Sequence, residues 1–358
     1  MNVMVFDVPA EYGGALSILH EFYAEVLASH DDSVEWFFVL STPKLDTSKN
    51  VTVLNYPWVK RSWLHRIYFD YFIAPQVIKK YRIDRVFSLQ NVLIPRTTVP
   101  QVLYVHQSLP FVKVRFSFTE DKLLWIYQNV ISHLIFRSMR RAERVIVQTE
   151  WMRSEGAKIA SVSREKMHVV PPVITAEITN TYVHTKHSRS TFFYPAHAML
   201  YKNHQVIIEA CELLRLQGIE DYSVILTLTG DEGDKIRRLA QRVKEMNLPV
   251  KFAGTLTRPE VFSYYKKSVL LFPSYVETYG LPLMEAGMHG APIIAADTLF
   301  AREILGVYPK AHFFSSFDSV ALANILKRMI AGDCKHTFEK LSNPSNVAQA
   351  LLPHVLSG

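Results

Sequence analysis

The amino-acid sequence predicts an α/β protein built from two doubly wound, Rossmann-like domains. Short apolar runs alternate with amphipathic stretches of about ten residues or more, the pattern of parallel strands joined by crossover helices. At 358 residues, the chain exceeds what one hydrophobic core usually encloses. One polar segment, residues 173–190, interrupts the alternation and separates two similar sets of elements.

The first set opens with the strand NVMVFDV (2–8), then an amphipathic helix over 15–28. VEWFFVL (34–40) and VTVLNY (51–56) read as strands, and residues 62–80 as a helix. Short strands follow at 85–88 and 102–106, then a long helix over 120–142 and a strand at 144–149. A short helix over 151–159 and the strand MHVVPP (167–172) complete the set.

The second set has strands at 191–198, 222–230, 250–256, 269–274, 292–297 and 312–316. Its helices fall at 203–216, 234–246, 259–267, from 281 through Glu285, 301–305 and 319–330. A last helix is expected over 346–356, kinked at Pro353. The expected boundaries are 1–175 for the first domain, 176–190 for a linker, 191–340 for the second domain and 341–358 for a C-terminal helix.

Composition narrows the function. Cys211 and Cys334 lie far apart with no partner at metal-ligand spacing, as expected in a reducing cytoplasm. The N-terminus has neither a basic start nor a long apolar run, so it reads as a first strand and not as a signal peptide. The most apolar long stretch, residues 123–136, is interrupted by Gln128, Asn129, Ser132 and His133, which argues against a membrane span. Residues 51–150 carry 15 Lys/Arg against 6 Asp/Glu, more positive excess than the +7 of the whole chain. Such a surface attracts an anionic membrane face or a pyrophosphate-bearing acceptor.

Chemistry concentrates in PSYVETYGLPLMEAGMHGAP, residues 273–292. Glu277 and Glu285 stand eight positions apart, separated by the strand-to-helix turn Tyr279-Gly280-Leu281-Pro282. Proline suits the first helical turn, where its missing N–H is not needed. Gly280 allows close approach of a ligand, and the unpaired N–H groups of a new helix favour an anion. A nucleotide diphosphate-sugar fits this layout, with phosphates at the helix start and carboxylates on hydroxyls.

This string resembles the E-x7-E element of retaining glycosyltransferases of family 4 (the "group 1" transferases), which have the GT-B fold of two Rossmann-like domains facing across a cleft. The resemblance implies that Glu277 contacts sugar hydroxyls and Glu285 the ribose, with the backbone N–H groups of Tyr279, Gly280 and Leu281 on the distal phosphate. It also implies that Lys202, in YPAHAMLYKNHQ, contacts the donor pyrophosphate, where a fixed cation stabilises leaving-group charge. Family members commonly carry an arginine five or six residues earlier, whereas this chain has Ala196 and His197. That leaves the second diphosphate cation unassigned, with His197 a partial substitute. Gly230 in LTLTGDEGD and the FAGTL segment with Gly254 and Leu256 are similar to segments that line the nucleotide pocket.

On the acceptor side, Gly13-Gly14 match the family's N-terminal loop beside the phosphates. His106, at a strand end, matches a histidine that reaches the donor sugar. No metal or other cofactor is expected, because lysine and helix N–H groups serve the diphosphate. The expected partners are a nucleotide-sugar donor and a saccharide or lipid-linked oligosaccharide acceptor of a bacterial surface polysaccharide such as O-antigen, lipopolysaccharide or capsule. Aromatic and basic residues interleave over 58–72 and 111–127, which suits peripheral contact with the inner face of the cytoplasmic membrane. Half of those aromatics are expected in the core, and no nucleic-acid module is recognisable. A nucleotide-sugar epimerase and a non-catalytic scaffold of the same fold remain the alternatives.

Overall fold

The computed structural model describes residues 1–11, 13–174, 181–333, 339–342 and 350–357. The chain divides into two compact units, residues 1–173 with 345–358 and residues 174–344.

The first unit is a parallel sheet of β1 (Asn2–Phe6), β2 (Glu35–Leu40), β3 (Val51–Asn55), β4 (Arg85–Ser88), β5 (Gln101–Val105), β6 (Arg144–Val147) and β7 (Met167–Val169), in the order β3-β2-β1-β4-β5-β6-β7. Phe6 registers with Val39 on one side and Ser88 on the other, so the strand order reverses beside β1. Strand β5 is buried along its whole length, as its apolar run 102–105 requires in a sheet covered on both faces, and the Gln101 amide at its start is satisfied by the Ile94 backbone (2.9 and 2.8 Å). Helix α1 (Gly13–Ser29) covers one face with Ile18, Leu19, Phe22 and Val26, one stripe at helical spacing. Phe22 packs edge-on against Trp36 and Phe87, with ring centroids 5.6 and 4.8 Å away. The other face takes Phe69, Ala74, Val77 and Ile78 against Met4 and Phe6.

Two expected helices are each interrupted. Between α2 (Trp63–Tyr68) and α3 (Ala74–Lys80) lies a π turn, Phe69–Ile73. A second, Tyr127–Ile131, separates α4 (Lys122–Ile126) from α5 (Ser132–Arg141). The extra residue per turn directs Gln128 inward, where it accepts from Phe116 N–H (2.9 Å) and donates to the Val114 carbonyl (2.8 Å). A 3.6-residue apolar period carries no mark of such an insertion. Helix α6 (Glu150–Ala160) then leads to β7.

The second unit repeats the plan with β8 (Thr191–Tyr194), β9 (Ser223–Leu226), β10 (Val250–Phe252), β11 (Val269–Phe272), β12 (Ile293–Ala296) and β13 (Ala311–Phe314), ordered β10-β9-β8-β11-β12-β13. Here the order reverses between β8 and β11. Its helices are α7 (Lys186–Arg189), α8 (His204–Leu216), α9 (Gly233–Glu245), α10 (Arg258–Tyr265), α11 (Leu281–Met288), α12 (Leu299–Leu305) and α13 (Ser319–Ala331). Helix α7 lies inside the segment expected as a linker; Thr185 and Ser188 close it with a capping box. Residues 175–180 of that segment are outside the described residues. Several strands end earlier than their apolar runs suggest. Gly230 (φ +95°) and Gly254 (φ +71°) adopt left-handed conformations that turn the chain out of β9 and β10.

Helix α14 (Leu351–Leu356) packs on α1 in the first unit, burying Leu351 and Val355. The Glu25 carboxylate accepts the Leu351 and Leu352 N–H groups (3.1 and 2.8 Å), and Arg85 donates to the Val355 and Ser357 carbonyls (2.9 and 2.6 Å). The rest of the expected tail helix, 346–349, and Cys334 lie outside the described residues, and Cys211 is a buried free thiol. Among the described residues no helix is long and apolar enough to cross a membrane.

Candidate active site

In open α/β sheets, ligands bind beyond the carboxyl ends of the strands where the strand order reverses. In the second unit that place lies beyond β8 and β11, and the loops leaving these strands are laced together. The Tyr275 N–H donates to the Tyr201 carbonyl (3.1 Å), and the Tyr194 hydroxyl to the Lys202 carbonyl (2.9 Å). Asn203, left-handed at φ +57°, donates through Nδ2 to the Ser316 carbonyl (2.6 Å). This lacing joins Lys202 to Glu277, 75 residues apart in sequence, in a salt bridge with both side chains 17% exposed. Ser274 Oγ donates to the same Glu277 oxygen at 2.8 Å. A largely buried pair of this kind fixes both side chains and holds opposite charges at one spot.

Eight positions on, Glu285 occupies the second turn of α11 with different partners. Arg258 Nη2 donates to its Oε1 (3.3 Å), and the buried Tyr265 hydroxyl to its Oε2 (3.2 Å). Burial raises the Glu285 carboxyl above its ordinary range, against the opposing pull of Arg258 and the Tyr265 bond. Between the two glutamates, Gly280 has φ +85°, and a Cβ there would stand 3.2 Å from Leu283 Cδ1. Glycine is therefore required to open α11, where the first N–H groups have no partner in the helix. The Tyr279 side chain is buried with Ile174, Met284 and Met288, and burial pushes its phenol up to about 12. Its ring is thus a core element. Leu281 packs beside the same cluster.

The remaining expected nucleotide contacts differ among themselves. The Gly230 and Thr229 N–H groups donate to Glu232 (3.0 and 2.6 Å), so the Gly230 N–H already has a partner. Burial works against the Glu232 charge, but these bonds outweigh it and hold the carboxyl below its usual range. Gly254 donates to the Leu228 carbonyl (2.9 Å), Leu256 is partly exposed, and His197 is exposed. Among the described residues no group of three or more His, Cys, Asp or Glu is placed to hold a metal ion.

In the first unit, Gly13 (φ +65°) and Gly14 are exposed, and a Cβ added at either would meet nothing within 4 Å. His106 follows β5; its N–H donates to Asn91 Oδ1 (2.8 Å) and its ring lies edge-on to Tyr104, 5.7 Å between centroids. Its Nδ1 is buried without a partner, and burial pulls the ring down to about 4, so a neutral imidazole stands there at physiological pH.

Sequence reasoning passes over a polar cluster at the reversal of strand order in this unit. Asp7 follows β1 and is fully buried, with no side-chain donor on either carboxyl oxygen and only the Ala10 N–H favouring its charge from the backbone. Asp70 in the π turn pairs with Arg66 (2.7 Å), and the buried Gln90 amide, two residues past β4, lies beside the Asp70 carboxylate and favours its charge. Burial raises Asp7 well above the carboxylate range despite Arg66 and Lys60 nearby. An acid directly after the first strand is the only signal the sequence offers.

The aromatic stretches divide. Val59 and Phe69 are buried in 58–72, and Phe111 and Phe116 in 111–127. On the outside, Trp63, Leu64, Ile67, Tyr68 and Phe72 are 48–76% exposed, and Trp58, Leu64, His65 and Tyr68 line an open groove.

The family description "Glycosyltransferase Family 4" matches residues 13–177, and "Glycosyl transferases group 1" matches residues 183–348. D-inositol 3-phosphate glycosyltransferase of Pseudarthrobacter chlorophenolicus is 28% identical over 169 residues, covering 43% of this chain and 39% of that protein's length. The solved structure of WaaG, a glycosyltransferase involved in lipopolysaccharide biosynthesis, is 14% identical, covers all of both chains and has a TM-score of 0.67. Anabaena HepE in complex with UDP-glucose is 18% identical, with a TM-score of 0.62 over 100% of this chain and 96% of that one. Likeness at such low identity concerns the fold, whereas the two family matches span nearly the whole sequence. The chain therefore belongs to the group 1, family 4 glycosyltransferases and has their GT-B fold.

Proposed function

We propose that the protein transfers a sugar, with retention of anomeric configuration and without a metal, from a nucleotide diphosphate-sugar to a saccharide acceptor. The observation that carries this reading is the Lys202–Glu277 pair at the β8/β11 reversal. An entering diphosphate competes with Glu277 for the Lys202 ammonium. Glu277 is then released to accept hydroxyls of the donor sugar, while Ser274 keeps it aimed. As the bond from the anomeric carbon to the diphosphate oxygen breaks, its electron pair passes to that oxygen, beside Lys202. The acceptor hydroxyl forms the new bond on the same face, and its proton goes to the departing phosphate. Fixed positive charge where negative charge develops lowers the barrier. Neutral His106 suits a hydrogen bond to a sugar hydroxyl, and Gly280, Leu281 and the Tyr279 backbone suit the distal phosphate.

For the acceptor we favour a lipid-linked oligosaccharide of a bacterial surface polysaccharide, at the inner face of the cytoplasmic membrane. The support is the exposed apolar row of α2 and its π turn within the basic region 51–150, together with a lipopolysaccharide enzyme among proteins of like fold.

The test is product analysis. The purified protein is incubated with UDP-, GDP- and ADP-sugars, with and without a lipid-oligosaccharide extract, and the products are read by proton NMR and mass spectrometry. Acceptor-dependent transfer that keeps the donor's anomeric configuration supports the reading. An inverted linkage, epimerised nucleotide-sugar formed without acceptor, or binding without turnover contradicts it.

A further inference from the structure

The Glu285 carboxylate is held by two groups of α10. Arg258 is the first residue of that helix, whose start is fixed by the Thr257–Glu260 capping box, with Thr257 N–H and Oγ1 both 2.7 Å from Glu260 Oε2. Its guanidinium lies over the Phe262 ring at 5.3 Å, so the side chain is braced before it reaches Glu285. From the other end of α10 the Tyr265 hydroxyl approaches out of the core, where Tyr265 is 1% exposed. Each carboxylate oxygen thus receives one donor. A carboxylate has about four acceptor positions, so each oxygen keeps one position for a ligand. Two adjacent acceptor positions match two neighbouring hydroxyls.

We propose that Arg258, acting with Tyr265, is the positioning residue that aims the Glu285 carboxylate at a vicinal diol of the donor nucleoside. This rests on the reading of the second unit as the nucleotide-sugar site. Among the described residues, the other titratable group against Glu285 is His289, whose Nδ1 lies 2.8 Å from the Glu285 carbonyl and whose ring is kept neutral more strongly than usual by burial. His289 therefore contributes no compensating charge, and Arg258 is the cation that opposes the cost of burying the carboxylate. Removing Arg258 raises Glu285 further. The ionised, diol-accepting form is then lost at a higher pH than in the wild type.

The experiment is calorimetric titration of the full chain with UDP, GDP and ADP from pH 5.5 to 8.5, following whichever binds most tightly. For Arg258→Leu the dissociation constant is expected to weaken most at pH 5.5, by up to about tenfold for each unit that the carboxyl rises. The gap should narrow toward pH 8.5. Arg258→Lys restores part of the loss, Tyr265→Phe weakens binding in the same direction, and Glu285→Gln is flat across the range. Adding Arg258→Leu to Glu285→Gln causes no further loss. A wild-type pH profile in Arg258→Leu, or an equal loss in the Glu285→Gln background, overturns the proposal while leaving the donor site in place. Failure of all three nucleotides to bind the wild type overturns the donor reading itself.

Discussion

Replacing Lys202 with methionine keeps the aliphatic stem and removes the charge. Two unit charges about 4 Å apart at an effective dielectric near 20 interact by about 4 kcal/mol. Lys202 is 17% exposed, which places it in that intermediate regime and not in bulk water. Part of this interaction already exists with the bound donor's diphosphate, so only the charge that develops during bond cleavage changes the rate. Losing one preorganised group of this kind costs about 10²–10³ in kcat, equivalent to about 2.7–4 kcal/mol. The fold tolerates the change, since Glu277 keeps its Ser274 bond; loss of a half-buried pair costs about 1–3 kcal/mol, between exposed and fully buried examples. The assay is single-turnover transfer at saturating donor, which keeps product release out of the measured rate, alongside thermal unfolding. A folded Lys202→Met protein with kcat within about threefold of wild type refutes the assignment of leaving-group stabilisation to this residue.

Other outcomes follow from the same geometry. Asp7 has a folded-state pKa above its unfolded value, so its stabilising contribution belongs to the protonated form and disappears as pH rises from about 4. Asp7→Leu should therefore raise unfolding free energy at pH 7.5 by about 1–3 kcal/mol, with a smaller gain near pH 4, measured by urea unfolding. Gly280→Ala forces a left-handed conformation on a residue with a Cβ against Leu283 and should cost about 1–2 kcal/mol of stability, again read in urea, with weaker nucleotide binding by calorimetry. Trp63→Ser with Leu64→Ser should abolish cosedimentation with vesicles containing anionic lipid while leaving nucleotide affinity unchanged; undiminished sedimentation would remove α2 from the membrane reading.

The layered architecture is legible because buried parallel strands such as β5 and β11 are short unbroken apolar runs between amphipathic helices. Lys202 and Glu277 are legible as candidates because each follows a strand and sits in a distinctive string, but their pairing depends on β8 and β11 being neighbours, which no local pattern encodes. For the same reason Arg258 and Tyr265 escape notice: α10 reaches Glu285 only through tertiary packing. The acids after Gly230 have the local pattern of helix-start residues, yet Glu232 turns back to cap the Thr229 and Gly230 N–H groups. Local composition reveals the charge there and not its direction. The π turn at 69–73 is hidden because its apolar residues continue the helical spacing closely enough, although it carries Asp70 inward toward Gln90.

The most direct test of the central claim compares nucleoside diphosphate and monophosphate affinities in the wild type and in Lys202→Met. If the donor diphosphate takes the place of Glu277 at the Lys202 cation, the wild type prefers the diphosphate and the variant loses most of that preference, with monophosphate binding little changed. An equal preference in both proteins contradicts the account.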